Sequence, residues 1–278
     1  MSNNQIIIKL LLFCFLCSPS CFAQQNEEDK KIGKVSELFS SDSVLQIKLN
    51  YANKEIRKNT NDSTYLKIDL EYQVGNEWKS LPVSIRSRGN NRLKNCYFAP
   101  VKVKIKKEDR QGTLFKGNKE LKLVLPCLTE KEADDFLVKE LIAYKLFELV
   151  SPYHYKTRLL DITLTEPKGK NNKVHTIKGF FIEDIQVVAK RHGGNVLKRN
   201  IHPLQQDALC SVQNAFFQYM IGNTDFSTAY QHNEKLLFVN KTSLPVPFDF
   251  DMSGFCNTSY SVVSQIGDQP LPITQVTQ

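Results

Sequence analysis

In the first half of the chain, apolar and polar residues alternate in short runs, and a period of two marks strands. Residues 45–49 (Leu-Gln-Ile-Lys-Leu) and 65–70 (Tyr-Leu-Lys-Ile-Asp-Leu) lie on either side of the turn-rich 59–63 and predict an antiparallel pair. Further strands are expected at 78–88, 101–105 and 121–125, the last closed by Pro126. The period then changes. Phe136, Leu137, Leu141, Ala143, Tyr144 and Phe147 fall at helical spacing, and Thr129 with Glu132 has the form of a capping box, so a helix is expected through Val150. Two more strands, 157–165 and 174–183, are joined by a hairpin-like 167–173. After a basic, Gly-containing linker at 191–200, Pro203 opens a second long helix over 204–221. Its buried stripe is expected to be Leu209, Val212, Phe216, Phe217, Met220 and Ile221.

The segment after that helix concentrates oxygen ligands. From Gly222 to Gly254 it carries Asp225, His232, Asn233, Asp249 and Asp251 around one short apolar run, 236–239. Phe248 and Phe250 alternate with Asp249 and Asp251, so an extended strand puts the aromatics on one face and both carboxylates on the other. Adjacent carboxylates repel unless a cation, a proton or solvent relieves them, and with further oxygen donors they suit Mg²⁺ or Ca²⁺. The same pattern also fits an edge strand showing its polar side to water.

Charge and cysteine content narrow the setting. The net charge is +8, with basic residues dense at 86–94 and 102–107, which suits a polyanion held between a basic half and an acidic cluster. No nucleic-acid-binding motif is present, and nucleic acid is not expected as a partner. Residues 1–23 have the polar start, apolar run and small-residue end of a secretory signal, 24–40 form a charged leader expected to be flexible, and the domain occupies 41–278. No later stretch is apolar enough to span a bilayer. Three of the seven cysteines fall in the signal, leaving Cys96, Cys127, Cys210 and Cys256. At least one disulfide is expected after export to the periplasm, cell surface or medium, with the pairing open.

The order of elements resembles a protein-kinase-like fold: basic antiparallel sheet, helix, two strands, linker, helix, Asp/Asn loop, strand, acidic strand. Five short motifs sharpen this. They are Arg88-Gly89-Asn90 followed by Pro100-Val101-Lys102-Val103-Lys104, then Gly179-Phe180-Phe181-Ile182-Glu183, Gly222-Asn223-Thr224-Asp225, and Pro247-Phe248-Asp249-Phe250-Asp251. Together they resemble the CotH family of spore-coat-type atypical kinases, over about residues 80–257.

The resemblance implies an α+β, two-lobed atypical protein-kinase-like fold. Its N-lobe, about 41–185, would be an antiparallel sheet with one helix, and its C-lobe, about 200–278, small and helical. It further implies transfer of the γ-phosphoryl group of ATP to an unidentified protein acceptor with Mg²⁺ or Mn²⁺. Asp225 would be the catalytic base, and Asn233, Asp249 and Asp251 the metal ligands. Arg88 and Lys102 or Lys104 would approach the phosphates, with Glu140 paired to that lysine. The chain departs from the family at Asn91-Arg92-Leu93-Lys94, where serines are expected, and only 27 residues follow Asp251. A non-catalytic cell-surface binding protein is the alternative. A glycan or phosphoester hydrolase fits less well, since the one Trp, Trp78, is far from the carboxylates in sequence.

Overall fold

Strand alternation here closes a barrel. The computed structural model describes residues 33–89, 91–130, 132–168 and 171–261, so the expected signal at 1–23 lies outside the described residues. In chain order the elements are β1 (Leu45–Asn50), α1 (Asn53–Asn59), β2 (Leu66–Val74), β3 (Glu77–Ser87), α2 (Asn91–Asn95), β4 (Val101–Lys104), α3 (Lys107–Arg110) and β5 (Glu120–Val124). Then come α4 (Ala133–Val150), β6 (Thr157–Lys168), β7 (Asn171–Ile182), α5 (Ile185–Arg191), β8 (Asn195–Val196), α6 (Ala208–Met220), β9 (Glu234–Val239) and β10 (Thr242–Pro247).

The first seven strands close in the order β1-β2-β3-β4-β5-β7-β6. Every neighbouring pair is antiparallel except the closing one, in which β1 runs parallel to β6 from Leu45↔Leu160 to Asn50↔Thr165. Period two puts Leu45, Ile47, Leu49, Val101, Val103, Leu121 and Leu123 inside, and these form one core with Leu160, Ile162, Leu164 and Phe181. Closure leaves no edge strand in this sheet.

This corrects the expected two-lobed kinase-like fold. A strand's alternation fixes which face is buried but not which strand lies beside it, so it cannot distinguish an open antiparallel sheet from a closed mixed barrel. The C-terminal part is also not a helical lobe: it holds α6 beside a three-stranded sheet of order β10-β9-β8. The end of the expected leader is packed as well. Gly33 N donates to Arg191 O at 2.6 Å, and Leu38 and Phe39, on a 3-10 turn, are buried in the barrel core.

A second core lies against the barrel's outer wall. β7 ends Gly179-Phe180-Phe181-Ile182, and while Phe181 points into the barrel, Phe180 and Ile182 point out, where they pack with Leu137, Ala143, Tyr144 and Phe147 of α4. A strand buried on both faces carries a continuous apolar run. Gly179 permits the close strand packing here, because a Cβ would collide with Ile162 Cδ1. Phe217 of α6, Leu237 of β9, Val246 of β10 and Phe250 complete this core. Helix α4 begins at Ala133 rather than Thr129, Glu132 makes no side-chain cap, and Asp134 Oδ1 instead accepts from Lys178 N at 3.0 Å.

Candidate functional site

The site lies where the second layer meets the barrel rim. Helix α6 is capped by Asp207, whose carboxylate accepts from Cys210 N, and the chain leaves it through Gly222 at φ +60°. A tight loop follows. Asn223 Oδ1 accepts from Asp225 N at 3.0 Å, and Ser227 and His232 pair across the turn. Asn233, at φ +54°, turns back and donates through Nδ2 to Asp225 O at 2.7 Å and Asp225 Oδ2 at 2.9 Å. His232 Nε2 lies 3.2 Å from the other carboxylate oxygen. Asp225 is therefore held on both oxygens. Burial raises its pKa, His232 opposes that rise, and Asp249 adds to it.

Asp249 and Asp251 reach the same cleft by a different route from the one expected. Strand β10 stops at Pro247, and Asp249 has a left-handed φ of +66°, an uncommon conformation for a non-Gly residue that surrounding contacts must hold. One such contact is clear: Asp249 N donates to Tyr144 Oη at 2.8 Å, while Phe250 is fully buried against the Tyr144 and Phe217 rings. Asp251 is buried. It accepts from Tyr260 Oη at 3.1 Å and lies 3.7 Å from Arg92 Nε. Burial pushes its pKa up to about 6; Arg92 opposes this, and Asp249 and Asp225 reinforce it.

The basic side of the site differs from expectation. Lys102 and Lys104 project from the outer face of β4, where Lys102 Nζ pairs with Glu120 at 2.6 Å and Lys104 Nζ lies 5.4 Å from the Tyr65 ring. Neither is brought to the carboxylates. The lysine that is brought there is Lys122, across from Lys102 in the β4/β5 register, with Nζ 4.2 Å from the Phe248 ring centre. Burial pulls its pKa down to about 7, Arg88 pulls the same way, and Asp249 pulls back.

Arg88 follows β3 and shares the field of Asp249. Its pKa is lowered by burial, and its Nε has no hydrogen-bond partner among the described residues. Glu140 is buried on α4 and lies 3.8 Å from Arg92 rather than beside a lysine. Its pKa is raised, first by burial and then by Asp251, against the pull of Arg92. For Arg92 burial works against the charge, and Asp251, Tyr260 and Glu140 more than offset it.

Sequence reasoning missed Lys122, Arg92, Tyr144 and Tyr260. The basic segment 86–94 pointed toward Arg92, but Lys102, Lys104 and Lys122 share one alternating pattern, which says only that all three face outward. What separates them is the chain laid over β5, a tertiary fact. Arg92 sits on short α2, anchored by the Cys96–Cys127 disulfide (Cα–Cα 4.4 Å), while Cys210 and Cys256 are buried elsewhere. With Asn95, Met252 and Tyr260, the disulfide, Arg92 and the three aspartates line one open cleft.

Burial first and then the charge of Asp249 raise the proton affinity of Asp225 and Asp251 at one end of this cleft, and oxygen donors of this kind suit a hard cation. Among the described residues no three His, Cys, Asp or Glu side chains form a metal-binding group. No described helix is long and apolar enough to cross a membrane. No family model, no curated protein and no solved structure matches the chain.

Proposed function

We propose that the chain is a metal-dependent phosphotransferase that moves the γ-phosphoryl group of ATP to protein hydroxyls, the activity implied by its motif resemblance to the CotH family. One observation carries this reading: Asp225, Asp249 and Asp251 converge on one cleft with Arg92, while Arg88 and Lys122 lie within the field of Asp249. It rests on that convergence and not on the expected two-lobed architecture.

Phosphoryl transfer takes little covalent help from protein, so positive charge must meet the phosphate oxygens while a carboxylate aligns the attacking hydroxyl. Asp249, Asp251 and Asn233 would hold Mg²⁺ or Mn²⁺, and the bound ion would neutralise phosphate oxygens there. Arg88 and Lys122 would meet the remaining oxygens, and the buried Arg88 Nε, without a hydrogen-bond partner among the described residues, supports that role. Asp225, fixed by Asn233 and His232, would accept the hydroxyl proton as that oxygen bonds to the γ-phosphorus and ADP departs. The disulfide supports an exported setting.

A second reading, a non-catalytic binding protein, draws on Arg92, which already compensates Asp251 and Glu140 internally. Calorimetry with ATP separates the two. Phosphotransfer requires binding that depends on Mg²⁺ or Mn²⁺, an Asp249→Ala variant that loses the dependence, and an Asp225→Ala variant that binds normally but transfers at least about a hundredfold more slowly. Absence of metal-dependent affinity at millimolar ATP sinks the phosphotransferase reading and leaves the binding protein.

A further inference from the structure

Helix α6 leaves much of its apolar surface outside the core. Its exposed side presents Leu209 (67% exposed), Val212 (53%), Phe216 (72%), Tyr219 (85%) and Met220 (63%), and its sequence, ALCSVQNAFFQYM, holds no charged residue. At 3.6 residues per turn these five side chains fall within an arc of roughly 100°. The buried side mixes Cys210 and Phe217 with the polar Asn214 and Gln218. Asn214 Nδ2 donates to the buried Glu234 at 3.0 Å, Gln218 Nε2 to Asn214 Oδ1 at 3.3 Å, and Gln218 Oε1 accepts from Asn223, which in turn positions Asp225. Rolling the helix to bury its apolar side would break this network, so the exposure is built into the fold.

We propose that this face docks a second copy of the chain, α6 against α6 about a two-fold axis. Taking roughly 150–250 Å² for a large side chain, the patch exposes about 700 Å², close to the ~800 Å² per partner of a standard interface. Charge permits this occupant. In a two-fold contact the patch meets itself, and on a chain of net charge +8 most self-contacts oppose like charges. The α6 face has none to oppose. Its 13 residues give a stripe of about 20 Å, long enough for one helix-on-helix crossing.

Sedimentation of the purified protein tests the proposal. The wild type is expected to be dimeric at about 10 µM, and Phe216→Glu to raise the dissociation constant at least about thirtyfold, the effect of losing a central aromatic anchor. Phe216 is exposed, so that variant should keep the wild-type circular dichroism. A two-fold contact also predicts that Val212→Cys cross-links chain to chain under mild oxidant, while Lys241→Cys, on the exposed β9–β10 turn, does not. A wild-type monomer at about 50 µM would overturn the proposal, as would a dimer indifferent to Phe216→Glu. A chain that dimerises only after removal of residues 262–278 would overturn it too, by naming that segment as the occupant.

Discussion

The barrel interior and the layer outside it differ in how much charge they bury. Inside, Leu, Ile, Val and Phe from the strands dominate, and the charged Arg158 is held by Leu38 O and Ser41 O. Outside, Glu140, Glu183, Arg191, Asn214, Gln218, Glu234 and Asp251 are all buried among apolar neighbours. The first arrangement draws mainly on burial. The second holds charges that water would otherwise solvate, and each needs a partner: Arg191 Nη1 sits 2.6 Å from Glu183, Asn214 serves Glu234, and Arg92 stands between Glu140 and Asp251. A rigid barrel supplies the wall on which such a layer can be assembled, and the cleft lies in that layer. The three aspartates come from segments with positive φ or from turns, which marks them as held by context rather than by local preference.

The largest effect is expected inside the barrel. Phe181 is fully buried and edge-on to Phe115, so Phe181→Ala removes a ring that nothing nearby can replace. Thermal or urea unfolding should show a loss of about 3–5 kcal/mol, with no selective loss at the cleft once the protein is folded. A loss below about 1 kcal/mol would mean that the barrel interior is not the main source of stability.

In the outer layer, removal of a charge should hurt through what it leaves behind. Arg92→Met strips the counter-charge from Asp251 and Glu140, and a loss of about 3 kcal/mol is expected. Adding Asp251→Asn should restore much of it, because the stranded carboxylate is then gone. Phe181→Ala has no such rescue, which is the contrast between the two regions in experimental form. Equal losses in the single and double variants would show that Arg92 acts by packing rather than charge.

Much of this arrangement was legible as faces and little of it as partners. The alternation at 45–49, 101–105 and 121–125 located β1, β4 and β5 to within a residue, because period two is a property of the strand itself. Barrel closure was not legible, since the β1/β6 pairing joins residues 115 apart, as Gln46 and Asp161 show. Helix α6 was legible in part. Phe217 and Ile221 of its expected stripe are buried, but Leu209, Val212, Phe216 and Met220 are exposed, because the Asn214–Glu234 and Gln218–Asn223 bonds that bring polar residues inward depend on the loop and strand that follow. The acidic cluster was found because its residues lie close in sequence. Of its basic partners only Arg88 was named, because Arg92 and Lys122 come from separate elements, α2 and β5, that only the tertiary fold brings there.

The smallest effect is expected at the lysine that sequence favoured. Lys102 is paired on the sheet's outer face with Glu120, an interaction of the partly exposed kind worth at most about 1 kcal/mol, so Lys102→Met should change the melting temperature little and leave nucleotide affinity unchanged. Lys122, one strand over, sets the comparison. Its pKa in the unliganded fold is about 7, depressed from the usual lysine value, so its charge is lost as pH rises through that point. A phosphate ligand favours the charged form, so binding takes up a proton and the affinity declines above pH 7 by up to about tenfold per unit until the pKa of the complex is reached. Calorimetry across pH 6–9 should show this decline in the wild type and in Lys102→Met, and a flat, weaker profile in Lys122→Met. If Lys102→Met flattens the profile instead, the cation that meets the ligand is on β4 and not on β5.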